Sequence, residues 1–312
     1  MVTVIIPSFN RRAFTERAVK SVLAQTYPNF GILVIDDYSR EEEVYRPDPF
    51  YGSQVRVIRH SRHAGVSAAR NTGIKEAEDT LIAFLDSDDY WLPNRLEDHM
   101  SLFTQQKNQD KVLVYASYYT SYKGVWSKTP LSPLKPRQAV SDYLFLHYGC
   151  MHVNTWLAKK TLLEMVPFSS ELRQSEDWDV LLRIEALGGR FIYSPRPCAV
   201  RNVDLRPDRL TTITHVASQM RFLERNSGRL TPRSYALFQA TIENQKRPSR
   251  PPLQRLLSKI RLLTCSPRLT VGMRLRLVCC YLITCTLHRC RSLIYRPSRR
   301  LRSRIGSTLN GI

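Results

Sequence analysis

The sequence predicts an α/β fold, a mixed sheet with helices on both faces. Three observations carry this. Short runs of consecutive aliphatic residues recur, such as "VTVIIP" (2–7) and "GILVIDD" (31–37), and runs of this kind suit strands buried on both faces. Stretches of helical period alternate with them. Polar clusters follow three of the strands, "PSFN", "DDYS" and "DSDD", and sheets of this class bind ligands beyond the carboxyl ends of their strands.

The elements follow in order. Residues 2–7 form a first, parallel strand. The helix after it, "SFNRRAFTERAVKSVLAQT", sets Phe14, Ala18 and Val22 on one face, with Leu23 at its margin. Residues 31–37 and 54–60 are strands, and 66–78 is a helix. "TLIAFLDSDDYW" is a fourth strand and the loop beyond it. Pro93 opens a helix over 93–106, since proline suits a first turn. A strand at 111–122, a Pro-rich loop at 129–138 and a helix from Val140 come next. "HVNTWLAKKTLLEMVPF" reads as a strand and then a helix. "SEDWDVLLRIEALGG" is a helix capped by Ser175 and stopped at Gly188–Gly189. "RFIYSPRPCAVRN" is a late strand.

Charge divides the chain. Residues 1–215 hold 27 Lys+Arg against 25 Asp+Glu, whereas residues 216–312 hold the other 20 with only Glu224 and Glu243. A balanced domain (1–215) followed by a basic helical extension (216–312) is expected. In the extension, Leu253, Leu256, Leu257, Ile260 and Leu263 share one helical face with basic residues between them, a pattern that suits an anionic membrane surface. A solvated helix packed on the domain is the plainer alternative. Nucleic acid is not the expected partner, because no binding motif accompanies the arginines. "MVTVIIPSFN" does not read as a signal peptide, and no uncharged apolar run reaches the roughly 18 residues of a bilayer span. The seven cysteines form no CxxC pair, which suits reduced thiols and a cytoplasmic setting.

The acids carry the chemistry. Asp86, Asp88 and Asp89 crowd the end of an apolar strand. A helix cap would explain one of them. A hard divalent cation, Mn2+ or Mg2+, explains the rest, since such ions take one or two carboxylates together with substrate phosphates. Asp37 would accept a hydrogen bond from a nucleobase or ribose, and Phe9 either stacks on a base or packs locally. In "SEDWDV", a carboxylate would take a proton from an acceptor hydroxyl, and Trp178 packs on a sugar ring or on the core. Neither a Walker loop nor a GxGxxG turn is present.

"VTVIIPSFNRRAFTERAVKSVLAQTYPNFGILVIDDYS", "HAGVSAARNTGI", "LIAFLDSDDYWLPNRLE" and "SEDWDVLLRI", in this order, resemble the family 2 glycosyltransferases over roughly residues 1–215. The resemblance implies a GT-A fold and inverting transfer from a nucleotide-diphosphosugar, expected to be a UDP-sugar, to a glycan or lipid-linked hydroxyl. It implies that Pro7, Ser8, Phe9, Asn10 and Asp37 contact the nucleoside. Arg70 and Asn71 would lie under the ribose and diphosphate. Asp86 and Asp88 would hold the metal-diphosphate, with Asp89 an additional ligand. Asp177 would be the base, and Glu176 and Trp178 would frame the acceptor. The QxxRW signature of processive synthases is absent, which favours addition of one sugar. The Tyr-Arg-x-His stretch of many relatives is replaced by "AVRNVDLRPDRLTT", where Arg201 is kept and Asp204 stands near the place of the histidine. The cytoplasmic membrane face is the expected location. A noncatalytic nucleotide-sugar or glycan-binding protein of the same fold is the alternative reading.

Overall fold

The computed structural model describes residues 1–122, 125–147, 149–202 and 216–245. Its centre is a seven-stranded mixed sheet. Strands β1 (Val2–Ser8), β2 (Phe30–Asp36), β3 (Val55–Arg59) and β4 (Leu81–Phe84) are mutually parallel, in the spatial order β3-β2-β1-β4. Beyond β4 the sheet continues through β9 (Leu157–Lys159), β6 (Val112–Ala116) and β10 (Arg190–Ser194), with β9 antiparallel to both of its neighbours. A second sheet joins β5 (Tyr90–Trp91), β11 (Ala199–Asn202), β7 (Tyr118–Tyr122) and β8 (Val125–Thr129) in that order.

Alternation along each strand builds two cores, because successive side chains point to opposite faces. Val4 and Ile6 of β1 meet Ala18, Val19 and Val22 of helix α1 (Arg12–Leu23) and Leu96 and Phe103 of α3 (Arg95–Thr104). Ile5 points the other way, towards α2 (Val66–Glu76), α4 (Val140–Leu146), α5 (Lys160–Met165) and α6 (Glu176–Ala186). Gly73 of α2 sits so close to β1 that a Cβ there would lie 2.4 Å from Ile5, so the contact demands a residue with no side chain. Phe222 of α7 (Val216–Arg225) and Phe238 and Ile242 of α8 (Pro232–Gln245) join the same core. Buried Asp179 pairs with Arg183 inside α6 and ties that helix to the end of α7 through Arg225 and Asn226. Asp142 ties α4 to the start of α8 through Ser234 and Arg233.

Four local expectations need correction. The stretch 111–122 is two strands in two sheets, broken at fully buried Ser117. The stretch 190–202 is likewise β10 and β11, in different sheets. Helix α3 starts at Arg95 after Asn94, so Pro93 precedes its first turn. Ser175 takes a left-handed conformation (φ 68°) and makes no side-chain cap bond to α6. The expected stop does hold, with α6 ending at Ala186 and Gly188 at φ 74°. The amphipathic stretch 253–263 and Asp204 lie outside the described residues. Among the described residues, no helix is long and apolar enough to cross a membrane.

Candidate active site

Because β1, β2 and β4 are parallel, the polar segments that follow them leave the sheet at one rim. Asp37 N–H donates to Ser8 O (2.8 Å), which joins the first two segments. Asn10 strengthens the join, its N–H donating to Ser39 Oγ and its Oδ1 accepting from Arg40 N, each at 2.8 Å. Pro7 and Ser8 are buried in β1, and Ser8 Oγ shares a hydrogen bond of 2.7 Å with Thr15 Oγ1. Phe9 is 38% exposed at the rim.

Buried Asp37 accepts from the backbone N–H of Ala64 (2.9 Å) and Gly65 (2.7 Å) at the start of α2. His60 and His63 each approach it through Nδ1 at 2.8 Å.

The three-aspartate segment is held from several sides. Asn154 accepts from Asp86 N–H (2.8 Å) and donates to Asp89 Oδ2 (2.6 Å). Asp89 Oδ1 accepts from Asn202 N–H (2.9 Å), which fastens the segment to the second sheet. Asp88 turns to Arg11, 3.2 Å away, while its carbonyl accepts from Arg17 (2.6 Å). Burial raises Asp89 well above the ordinary carboxylate range, and the charges of Asp88 and Asp86 push the same way.

Arg70, buried on α2, donates to Asp86 (2.8 Å) and to Glu176 (2.9 Å). Burial alone would lower the Arg70 pKa, but the two carboxylates outweigh it and raise it. Burial likewise pushes Asp86 up, and Arg70, helped by His152 and Arg201, more than reverses this, so Asp86 is held below the usual range.

Asp177 opens α6, where the helix dipole favours negative charge. Its Oδ1 accepts from Trp178 N–H at 2.9 Å. Burial, reinforced by Glu176 and opposed by Arg70, pushes Asp177 up to about 7. A carboxylate near neutrality is suited to accepting a proton.

The structure brings together Asp86, Asp89 and His152, whose ligand atoms lie within 4.8 Å of one another. Two carboxylates and an imidazole fit a divalent ion, and the nitrogen suits Mn2+ better than Mg2+. His152 and Asn154 were not singled out in the sequence. Their one signal is position, in the polar turn that leads into β9.

Two expected contact residues face elsewhere. Asn71 uses its whole amide on the backbone of Phe168, donating at 2.8 Å and accepting at 2.9 Å. Trp178 packs among Phe145, Phe222 and Phe238, with ring centroids 5.1–6.1 Å away, which is the core alternative rather than a sugar platform.

A parallel-stranded half whose rim carries convergent carboxylates, joined to a second half that bears a partly buried acid, has the form of an α/β enzyme with its ligand site at the carboxyl ends of the strands. The comparisons narrow it. The family description "Glycosyl transferase family 2" matches residues 3–166, and the chain belongs to that family. It is 26% identical over 204 residues to the amylovoran biosynthesis glycosyltransferase AmsB of Erwinia amylovora, covering 63% of this chain and 68% of that one. It is 31% identical over 187 residues to the Escherichia coli UDP-Glc:alpha-D-GlcNAc-diphosphoundecaprenol beta-1,3-glucosyltransferase WfgD, covering 59% and 69%. Two other relatives are matched over 66% and 62% of their own lengths. S. aureus TarS 1–349 in complex with UDP-GlcNAc superposes with a TM-score of 0.62 at 15% identity, over 85% of this chain and 81% of that one, a likeness of GT-A fold. The protein is therefore a glycosyltransferase.

Proposed function

We propose that the protein is an inverting, metal-assisted, nonprocessive glycosyltransferase that moves one sugar from a UDP-sugar to a hydroxyl of a glycan or lipid-linked acceptor. The observation that carries this reading is the chain Asp86–Arg70–Glu176, which leads to Asp177. One buried guanidinium links the carboxylate of the expected diphosphate side to the helix end that bears the expected base.

In this reading the acceptor hydroxyl gives its proton to Asp177. Its oxygen forms a bond to the anomeric carbon on the face opposite the leaving group. The bond between that carbon and the diphosphate oxygen breaks, and its electron pair stays on the diphosphate. Attack from the opposite face inverts the anomeric centre. Asp86, Asp89 and His152 would hold Mn2+ or Mg2+, and the ion would neutralise charge on the leaving diphosphate. Arg70 keeps Asp86 ionised and orients Glu176 beside the base. Phe9 and Asp37 would receive the nucleobase.

The activities of two similar proteins support the choice of substrates. WfgD uses UDP-Glc and a diphosphoundecaprenol-linked acceptor, and TarS was crystallised with UDP-GlcNAc. A lipid-linked acceptor also suits a balanced catalytic domain (1–215) followed by a basic extension whose first helices, α7 and α8, pack on that domain and whose later basic stretch would lie on the cytoplasmic face of an anionic membrane. The test is transfer from a panel of UDP-sugars with Mn2+, comparing wild type with Asp177→Asn. The expected outcome is that Asp177→Asn binds UDP with unchanged affinity and loses transfer by about 10³-fold or more. Equal turnover in both proteins would sink the assignment, and binding without turnover in the wild type, across a broad acceptor panel, would favour the noncatalytic reading.

A further inference from the structure

The nucleobase end of the cleft holds a side chain of the protein itself. The His63 ring stacks on Phe9 with centroids 4.1 Å apart and planes 30° from parallel. Its Nδ1 lies 2.8 Å from Asp37 Oδ2. An aromatic plane against Phe9 and a ring nitrogen against Asp37 are what a nucleobase would supply at the same two residues.

The acceptor capacity of Asp37 sharpens the conflict. A carboxylate offers about four lone-pair directions. At Oδ1, Asp37 meets Ala64 N–H (2.9 Å) and His60 Nδ1 (2.8 Å). At Oδ2 it meets Gly65 N–H (2.7 Å) and His63 Nδ1 (2.8 Å). His63 Nδ1 also lies 3.3 Å from the Asp37 backbone carbonyl, so the ring stands across the approach that a base N–H would take to Oδ2.

Three of the four are anchored. Two are backbone groups at the start of α2. His60 is only 15% exposed and is fixed on its other side by Thr72 Oγ1 at 2.9 Å. The His63 side chain is 54% exposed and can swing into solvent without disturbing the core.

We propose that His63 is a placeholder: it competes with the nucleobase for Phe9 and Asp37 and rotates out when the donor enters. The proposal rests on the reading of Phe9 and Asp37 as the base site. It also selects the ligand class. The incoming base must itself donate a ring N–H to Asp37, as uracil and guanine do and unprotonated cytosine and adenine bases do not. Because a competing contact has to be broken first, the apparent affinity for nucleotide is lower than the pocket's intrinsic affinity.

The test uses the full chain with isotope-labelled histidine, followed by NMR in Mg2+. The His63 ring signals are assigned by their loss in His63→Ala. Saturating UDP should move them downfield, as the ring leaves the shielding face of Phe9. Inorganic pyrophosphate, which has no base, should leave them in place. By calorimetry, His63→Ala should bind UDP about 3–10-fold more tightly than wild type. Circular dichroism of the variant checks that it is folded. His63 signals unmoved by saturating UDP, or weaker UDP binding by His63→Ala, would overturn the placeholder. Phe9→Ala and Asp37→Ala separate the two claims. If both bind UDP as wild type does, the base site and the placeholder fall together. If both weaken binding while His63 stays stacked, only the placeholder falls.

Discussion

Arg70 donates to Asp86 at 2.8 Å from a buried position, and the same guanidinium reaches Glu176 at 2.9 Å. Two carboxylates from distant parts of the chain thus depend on one cation. A lysine presents a single point charge and cannot span both in this geometry. Arg70→Lys should therefore lower kcat/KM by about 10²-fold while the protein stays folded. Arg70→Met should go further, leaving two largely buried carboxylates unpaired at a cost of about 3–5 kcal/mol. Steady-state kinetics and thermal unfolding read the two effects, and full activity in Arg70→Lys would refute the bridging role.

Asp177 carries the pH dependence. With its pKa raised to about 7, the base form accumulates as pH rises, so transfer should increase along a limb centred near that value. The sign for stability is the opposite. An acid whose pKa is raised on folding binds its proton more tightly in the native state, so this contribution is present at low pH. It is lost as pH rises from the ordinary 3.8 through about 7. Asp177→Asn should thus be more stable than wild type at alkaline pH, by about 1–2 kcal/mol given partial solvation of the carboxylate. Denaturant unfolding at acid and alkaline pH checks this, and equal stabilities throughout would show that the carboxylate is not strained.

The candidate ion site offers a choice between Asp88 and His152. Asp88 is paired with Arg11, whereas His152 lies with Asp86 and Asp89. His152→Ala should weaken Mn2+ binding by at least about 10–100-fold, a loss seen even when an outer partner of a metal ligand is removed. Titration calorimetry without nucleotide measures it. Wild-type affinity in His152→Ala, combined with a large loss in Asp88→Ala, would move the ion to Asp88.

Much of the parallel-stranded half was legible in the sequence because its signals are local. Continuous aliphatic runs such as 2–7 and 31–37 do become the parallel strands, and the acids after them do gather at one rim. Asp179 shows the limit. Its place in the first turn of α6 suits a dipole partner, yet it is buried against Arg183, Arg225 and Asn226, two of which lie more than 40 residues away. Asn154 was invisible for a related reason. Its amide acts on Asp86 and Asp89, and no spacing rule links a residue to partners 65 and 68 positions distant. Trp178 was ambiguous because an aromatic beside an acid fits a sugar platform and a core equally well. The packing of α7 and α8 against it decides for the core. Ser117 hid the sheet break, since apolar and aromatic residues run on either side of it.

That break has a consequence for how the enzyme could diversify. Cys198 N–H donates to Ser117 O (3.0 Å), and Ser117 Oγ donates to Pro195 O (3.0 Å), so the passages from β6 to β7 and from β10 to β11 cross side by side. The β7–β8 hairpin beyond this seam brings Tyr118 within 3.4 Å of Cys150 and sets its ring 5.2 Å from that of His152. The hairpin is therefore a panel hung on a fixed frame. Exchanging strands β7 and β8 between relatives would change the surroundings of Cys150 and His152 while Asp37, Asp86 and Arg70, anchored in the large-sheet half, stay where they are, so one side of the rim can vary without disturbing the other.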